Sequence, residues 1–362
     1  MAVMVDLVSL SLPTQSVNKY LKSYNMSIFV GTGKTVFIKH NAVGVGSTTT
    51  TGRNAGVNTE PGFVIYNVDT TQVEVYNGNQ WIGGLTSPFE ATGGTKDTTS
   101  RSGFAVHTFT GDGTLETEGL PQSSVEVLVI GGGGGAAHGG GGAGAMIYKT
   151  GLELTPGTYP ISVGGGGPNN TNSAGTGVTS TALGFTAPGG GGGGYPNRPP
   201  DISGGSGGGS YQGTGGAADG ATGGTAGTAS PDSGWGNAGG DSAATRDCHA
   251  GGGGAGGAGG NITFPSPFPH GTGGDGGNGL AMSITGSPVT RAGGGGGGAY
   301  AYPPTTPLNR MGAGGPGGGG SARPGSSPDR NGTANTGSGG GAPYGSGGQG
   351  GSGIVIVAYP TS

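Results

Sequence analysis

The 362-residue chain carries 97 glycines, 24 prolines and only 9% charged residues, against a usual ~25%, and its formal net charge is −4. So weak an acidic balance leaves no electrostatic footprint for nucleic acid, the single Cys248 excludes an intramolecular disulfide framework, and no stretch approaches the ~20 apolar residues of a membrane span. Glycine and proline at this level point to low complexity, yet disorder ordinarily couples low hydrophobicity to a high net charge that is missing here.

Residues 1–25 read as an N-terminal arm or attachment segment. "VNKYLKSYN" is either a short amphipathic helix or an arm docking on a partner, and no basic region precedes the brief apolar start, which makes a poor secretory signal. Residues 26–100 read as a small β-rich module with a linker. "SIFV" and "TVFIKH" are strand-like; "GTGKT" (31–35) has the look of a phosphate loop, but Ile28 stands where that motif needs glycine and no helix signal follows. Phe63–Asn67 and Gln72–Tyr76 flank a polar Asp-Thr-Thr turn and predict a β-hairpin. Residues 85–100 read as the linker.

Residues 101–362 form the third region. In "FAVHTFT" the alternation puts Phe104, Val106, Thr108 and Thr110 on one face and His107 on the other. "VEVLVI" (125–130) is a strand; "MIYKTGLELTPGTYPISV" predicts a second hairpin turning at Thr155–Thr158; 178–190 suggests another strand. After residue 130 come 81 of the 97 glycines, in runs at 189–194, 204–216, 220–227, 251–260, 271–279, 293–298, 312–320 and 345–353.

A Gly/Ser spacer would be a random coil, and glycine loses more backbone entropy on ordering than any other residue. Three features favour a packed object. Thr272, Asp275 and Asn278, like Ala255, Ala258 and Asn261, recur every third residue, the period of a polyproline II helix, which leaves two edges of bare glycine and no internal hydrogen bonds. Its backbone groups must then pair between neighbouring rods once buried. The interruptions are short and similar in size, and the region is bounded by two apolar strands, "VEVLVI" and "IVIVAY", expected to pair as a base. The expected fold is mostly β and irregular, with short hairpin modules followed by a β-framed bundle of packed polyglycine helices.

If successive rods run antiparallel, loops emerge at alternating ends. One end then collects Tyr195, Trp235, Phe264, Phe268, Tyr300, Tyr302 and Tyr344; the other holds no aromatic but Arg246, Cys248, His249, Arg291, Arg323 and Arg330. The aromatic end, with Arg198, His270 and Arg310 on its loops, is the candidate receptor-binding tip, since aromatic residues and Arg are enriched in binding hot spots and Tyr gives rigid contact area. The alternative role for these rings is to cap the rods against water.

"FAVHTFTGDGTLE…VEVLVIGGGGG…GGSGIVIVAYP" resembles the glycine-rich domain of tail-fibre and adhesin proteins of tailed bacteriophages. "GFVIYNVDTTQVEVYNGNQW" resembles a hairpin module of virion fibres, especially of T-even-like phages of marine cyanobacteria. The resemblance implies a polyglycine-helix sandwich at a fibre tip whose loops contact the host outer membrane. Expected partners are a host outer-membrane protein or surface glycan, other fibre or tail proteins, and two further copies in a homotrimer joined through the N-terminal region; the expected location is the virion exterior. The alternative is a structural virion component with no receptor role. An ice-binding bundle would want a regular row of small Thr/Ala side chains, which the period-three positions do not supply. No cofactor or metal is expected: Cys248 and His249 are adjacent rather than at zinc-knuckle spacing, and His138, His249 and His270 form no H-x-H pattern. The carboxylates after residue 130 are scattered, without a pair for glycan cleavage, so no enzyme is expected.

Overall fold

In the computed structural model, β-strands in small sheets carry nearly all the regular structure, with almost no helix. It describes residues 29–30, 34–35, 46–56, 60–83, 88–169, 174–195, 205–211, 230–242, 248–263, 271–299, 311–322, 327–343 and 347–361. The chain divides into two compact units, Met1–Thr86 and Ser87–Ser362.

In the first unit β1 (Phe29–Val30) and β2 (Lys34–Thr35) pair antiparallel. A second sheet has the order β3 (Ser47–Thr48), β4 (Val64–Asn67), β5 (Gln72–Tyr76), β6 (Trp81–Gly83). The β4–β5 hairpin is the one expected from the sequence, in the register Val64↔Val75 to Asn67↔Gln72. The short helix α1 (Thr50–Gly56) was not legible; it starts because the Thr49 hydroxyl accepts the Gly52 N–H at 3.0 Å, as an N-cap does. Ile65, Asn67 and Glu74 are buried on one face. Glu74 accepts bonds from Arg53 (2.7 Å), Asn67 (2.9 Å) and Thr70 (3.2 Å). Burial pushes its carboxyl up, but these bonds prevail and hold it below its ordinary range. Alternation along the paired strands puts Val64, Tyr66, Val73, Val75 and Ile82 on the opposite face, which carries no charge.

The second unit is framed by a five-stranded sheet of order β12-β11-β18-β9-β8 and a three-stranded sheet of order β13-β10-β7. Their strands are β7 (Glu90–Thr92), β8 (Thr95–Asp97), β9 (Phe104–Phe109), β10 (Gly113–Glu118), β11 (Gln122–Ile130), β12 (Met146–Leu154), β13 (Gly157–Ile161) and β18 (Ile354–Pro360). Two hairpins complete the unit: β14 (Ser180–Ala182) with β15 (Phe185–Ala187), and β16 (Leu280–Met282) with β17 (Val289–Arg291). The two bounding strands do pair: β11 and β18 run antiparallel from Glu126↔Ala358 to Ile130↔Ile354.

The large sheet is buried on both faces, which explains why "VEVLVI" and "IVIVAY" are continuously apolar. Val125, Val127, Val129, Val355, Val357 and Tyr359 pack toward Leu115 and Ile161 of the small sheet. Leu128, Ile130, Ile354 and Ile356 pack toward Trp235, Leu280, Met282 and Ile284. Arg101 braces the second face: its guanidinium lies 3.6 Å above the Phe104 ring, grips Glu126 through both terminal nitrogens (2.9 and 2.6 Å) and reaches the Ile284 carbonyl at 3.2 Å.

Two local expectations are corrected. Residues 85–100 are not all linker, because β7 and β8 lie within them, one in each sheet. Gly93 (φ 112°) and Gly94 (φ 58°) carry the chain across, in backbone conformations that favour glycine. Residues 146–161 are not a hairpin either. β12 pairs with β11, whereas β13 pairs with β10. The Thr155–Gly157 turn crosses between sheets and is pinned by Thr117, whose hydroxyl donates to the Thr155 carbonyl (2.8 Å) and accepts the Gly157 N–H (3.0 Å).

Beyond the sheets the glycine segments pair laterally. Gly132, Gly133 and Gly134 donate to Val178, Gly351 and Gly142, three separate segments; Gly135 and Ala136 return to the first two at Gly175 and Gly348, all at 2.8–2.9 Å. Each partner number falls by three as the donor number rises by three, so these neighbours are antiparallel. Three others are parallel: Gly190 and Gly193 donate to Gly132 and Gly135, Gly167 to Gly133, and Gly340 to Gly134. A Cβ added at Gly132, Gly133, Gly134 or Gly135 would strike a backbone carbonyl of Gly165, Ser338, Gly191 or Pro168. Glycine is therefore required at these four positions, although the interior runs also bury the small side chains of Ala136, Ala143, Ala145 and Ser206. A peripheral run accepts longer side chains: Asp275 and Asn278 are exposed while Gly273, Gly274, Gly276 and Gly277 are buried.

Gly141→Ala, whose methyl would meet the Gly134 carbonyl, is expected to destabilise the second unit by about 2–3 kcal/mol. Gly165→Ala, whose methyl meets nothing within 4 Å, is expected to be neutral or to stabilise by up to ~1 kcal/mol. Denaturation midpoints of the two variants check this contrast.

Candidate binding surface

β11 leads directly into the segment 131–136 and β18 follows directly from 347–353, so the sheets mark one end of the glycine region. Hydrogen-bond register then gives the direction of every run. Segments 131–136, 189–194, 205–210, 236–241, 258–262, 292–298 and 338–342 run away from the sheets; 139–145, 174–178, 248–253, 272–279, 311–315 and 347–353 run back. The residues at the far end follow: His138, Asn169, Tyr195, Tyr211, Ser242, Cys248, Thr263, Thr272, Ala299, Met311, Ala322 and Ala342.

The loop sequences 170–173, 243–247, 264–270, 300–310, 323–326 and 344–346 are each flanked on both sides by residues at this far end. The gaps are closed by short pairings: Thr263 with Thr272, and Cys248 with Ala299. The Asn169 amide donates to the Gly347 carbonyl at 2.8 Å. A small apolar cluster of Cys248, Ala299, Met311 and Ala322 lies beneath. A rigid platform thus presents several loop roots side by side, the arrangement a multi-loop contact surface requires.

Of the residues expected at the tip, Tyr195 stands at the far end, half-buried, its ring 4.9 Å from His138. Arg198, Phe264, Phe268, His270, Tyr300, Tyr302, Arg310 and Tyr344 lie outside the described residues; all but Arg198 fall in sequences flanked on both sides by residues at this end, whereas the stretch holding Arg198 is flanked by Tyr195 at the far end and Gly205 at the sheet end. Trp235 lies elsewhere. It is only 5% exposed, packs against the large sheet and exchanges backbone hydrogen bonds with Met146 (2.9 and 3.1 Å). The strict alternation of rods fails there for a visible reason. Gly191 and Gly194 donate to Ser206 and Gly209, so the runs 189–194 and 205–210 are parallel and the second starts again at the sheet end. For the same reason Cys248 and His249, expected at the opposite end, stand at the far end.

The residues that sequence reasoning did not bring together are His138, Tyr211 and His249. Their rings meet at 5.2 Å (His138–Tyr211), 5.0 Å (His138–His249) and 4.8 Å (Tyr211–His249). The available signal was that each interrupts a glycine-rich stretch near a reversal of direction. Among the described residues no group of three or more His, Cys, Asp or Glu is placed to hold a metal ion, and no helix is long and apolar enough to cross a membrane.

A family model described as a glycine-rich domain matches residues 109–360, about 70% of the chain. The chain belongs to this glycine-rich domain family. The match begins on the last residue of β9 and closes on the last residue of β18, so it takes in β10, β11, β12, β13 and β18 of the framing sheets as well as the runs they bound, while β7, β8 and most of β9 precede it. No curated protein matches the chain. Within the domain, Trp235→Ala is expected to cost about 3–5 kcal/mol of stability. Tyr195→Ala forfeits little beyond its ring contact, about 0.5–1.5 kcal/mol. Urea titration of the two variants separates the core ring from the platform ring.

Proposed function

We propose that this protein is a bacteriophage fibre-tip adhesin that attaches the virion to its host through loops on a rigid glycine core, without catalysis. The observation that carries the reading is the gathering of six loop openings at one end of the glycine-rich domain, opposite the framing sheets. In this reading the glycine runs are polyproline II-type helices with three residues per turn. The return of each donor to the same neighbouring segment after three residues supports that, as does the exposed edge of Asp275 and Asn278. The receptor is a host outer-membrane protein or surface glycan, met by Tyr300, Tyr302 and the other loop aromatics.

Several copies raise avidity without new contacts, and the N-terminal unit is suited to join them. Its uncharged face of Val64, Tyr66, Val73, Val75 and Ile82 contrasts with the polar network on its other side, and isolated small sheets are marginal in water. We assign that face to contact with further copies of this chain, most simply in a trimer, docked on other fibre or tail proteins.

A protein carrying Tyr300→Ala with Tyr302→Ala is expected to lose adsorption to host cells at least tenfold while keeping its denaturation midpoint; unchanged adsorption contradicts the receptor role and favours a purely structural place in the virion. Val75→Lys is expected to convert the oligomer to monomers in sedimentation, whereas an unchanged sedimentation coefficient contradicts the assigned interface.

A further inference from the structure

The chain contains three Asn-Gly steps: Asn77–Gly78, Asn278–Gly279 and Asn331–Gly332. At such a step the glycine nitrogen can attack the side-chain amide of the preceding asparagine, because glycine has no Cβ to obstruct the five-membered ring that forms. The fold treats the three steps differently. Gly279 donates its N–H to the Pro316 carbonyl and Gly332 donates to the Gln349 carbonyl, both at 2.8 Å. Both glycines sit in crowded runs, where a Cβ would strike the Arg291 carbonyl or the Ser338 carbonyl. Neither nitrogen can turn toward its asparagine side chain without giving up a backbone hydrogen bond.

Asn77–Gly78 lies in the exposed turn 77–80 that joins β5 to β6. Among the described residues the Gly78 N–H has no hydrogen-bond partner. Only the Pro61 ring, at 3.2 Å, approaches the space a Cβ would take, and the backbone there (φ 99°) favours glycine. The Asn77 Oδ1 accepts two backbone N–H groups, from Asn79 at 2.9 Å and from Gln80 at 2.8 Å. Oδ1 is the atom on which negative charge grows when a nucleophile adds to Cγ, and these distances are those of donors in an oxyanion hole.

We propose that Asn77 is the site at which the folded protein deamidates spontaneously, with the Gly78 nitrogen as nucleophile and the Asn79 and Gln80 N–H groups as oxyanion donors. Solvent base takes the Gly78 amide proton, and the nitrogen forms a bond to Asn77 Cγ. The Cγ–Nδ2 bond then breaks, and Nδ2 takes a proton from solvent and leaves as ammonia. Water opens the resulting succinimide at one of its two carbonyls, giving aspartate or isoaspartate. Either product adds a negative charge to the turn. Isoaspartate also inserts a methylene into the backbone of the turn that closes the Tyr76↔Trp81 pair, whose rings lie 5.4 Å apart. This chemistry belongs to the N-terminal unit and stands apart from the adhesin reading.

The test incubates the purified full chain in isotopically labelled water at neutral and mildly alkaline pH, folded and in denaturant, and follows the three Asn-Gly peptides by mass spectrometry after digestion. In the folded chain Asn77 is expected to convert at least about tenfold faster than Asn278 or Asn331, each of which must first give up a backbone hydrogen bond. In denaturant the three rates are expected to converge. The rate at Asn77 is expected to rise with pH, since the attacking nitrogen must lose its proton. Equal rates at the three steps in the folded chain, or an Asn77 that converts more slowly folded than in denaturant, overturns the proposal.

Discussion

A backbone amide inside a glycine run has no side chain to shield it and no partner within its own segment, so it must be paired by another run. Most of the second unit follows from that constraint. Gly132, Gly133 and Gly134 satisfy it by pointing at three different segments, and the neighbours lie so close that a methyl group at any of these positions would meet backbone. Glycine is thus the only residue that lets one segment be surrounded on every side. Its entropic penalty is offset by dense lateral hydrogen bonding. Side chains larger than serine or alanine survive only at the rim, at the ends and in the framing sheets.

The low charge of the chain has the same origin. At the interior of a packed glycine run there is no place for a charged side chain, and charges within runs, such as Asp275, stay at an exposed edge; several described ion pairs cluster at the sheets instead: Arg101 with Glu126, and Lys149 with Asp232. At the sheet end Glu126 also accepts the Tyr148 hydroxyl at 2.7 Å. Burial alone would push the Glu126 carboxyl up, and it is these partners that hold it below its ordinary range. A core built from backbone places few demands on the sequences of the loops it carries.

Much of the frame was legible because strand periodicity is a local signal. "VEVLVI" and "IVIVAY" read as buried strands because both faces are covered, and the β4–β5 hairpin read correctly from its turn and its β-branched residues. The failures were non-local. Nothing in "TGLELTPGTYPISV" says that its two halves join different sheets, since the decision lies with Thr117 in another strand. Glycine runs are alike in both directions, so composition could not reveal that 189–194 and 205–210 run parallel. From that one parallel step came the misplacement of Trp235 and of His249. The short strands within 85–100 were hidden because they are three residues each and take their register from β9 and β10.

The most direct test of lateral glycine pairing is NMR detection of couplings across the hydrogen bonds of 131–136 in isotopically labelled protein. The account predicts couplings from the Gly132, Gly133 and Gly134 nitrogens to the carbonyl carbons of Val178, Gly351 and Gly142, three partners in three separate segments. Successive donors coupled to one neighbouring segment, as in a β-ladder, or no couplings together with amide exchange at random-coil rates, would contradict it.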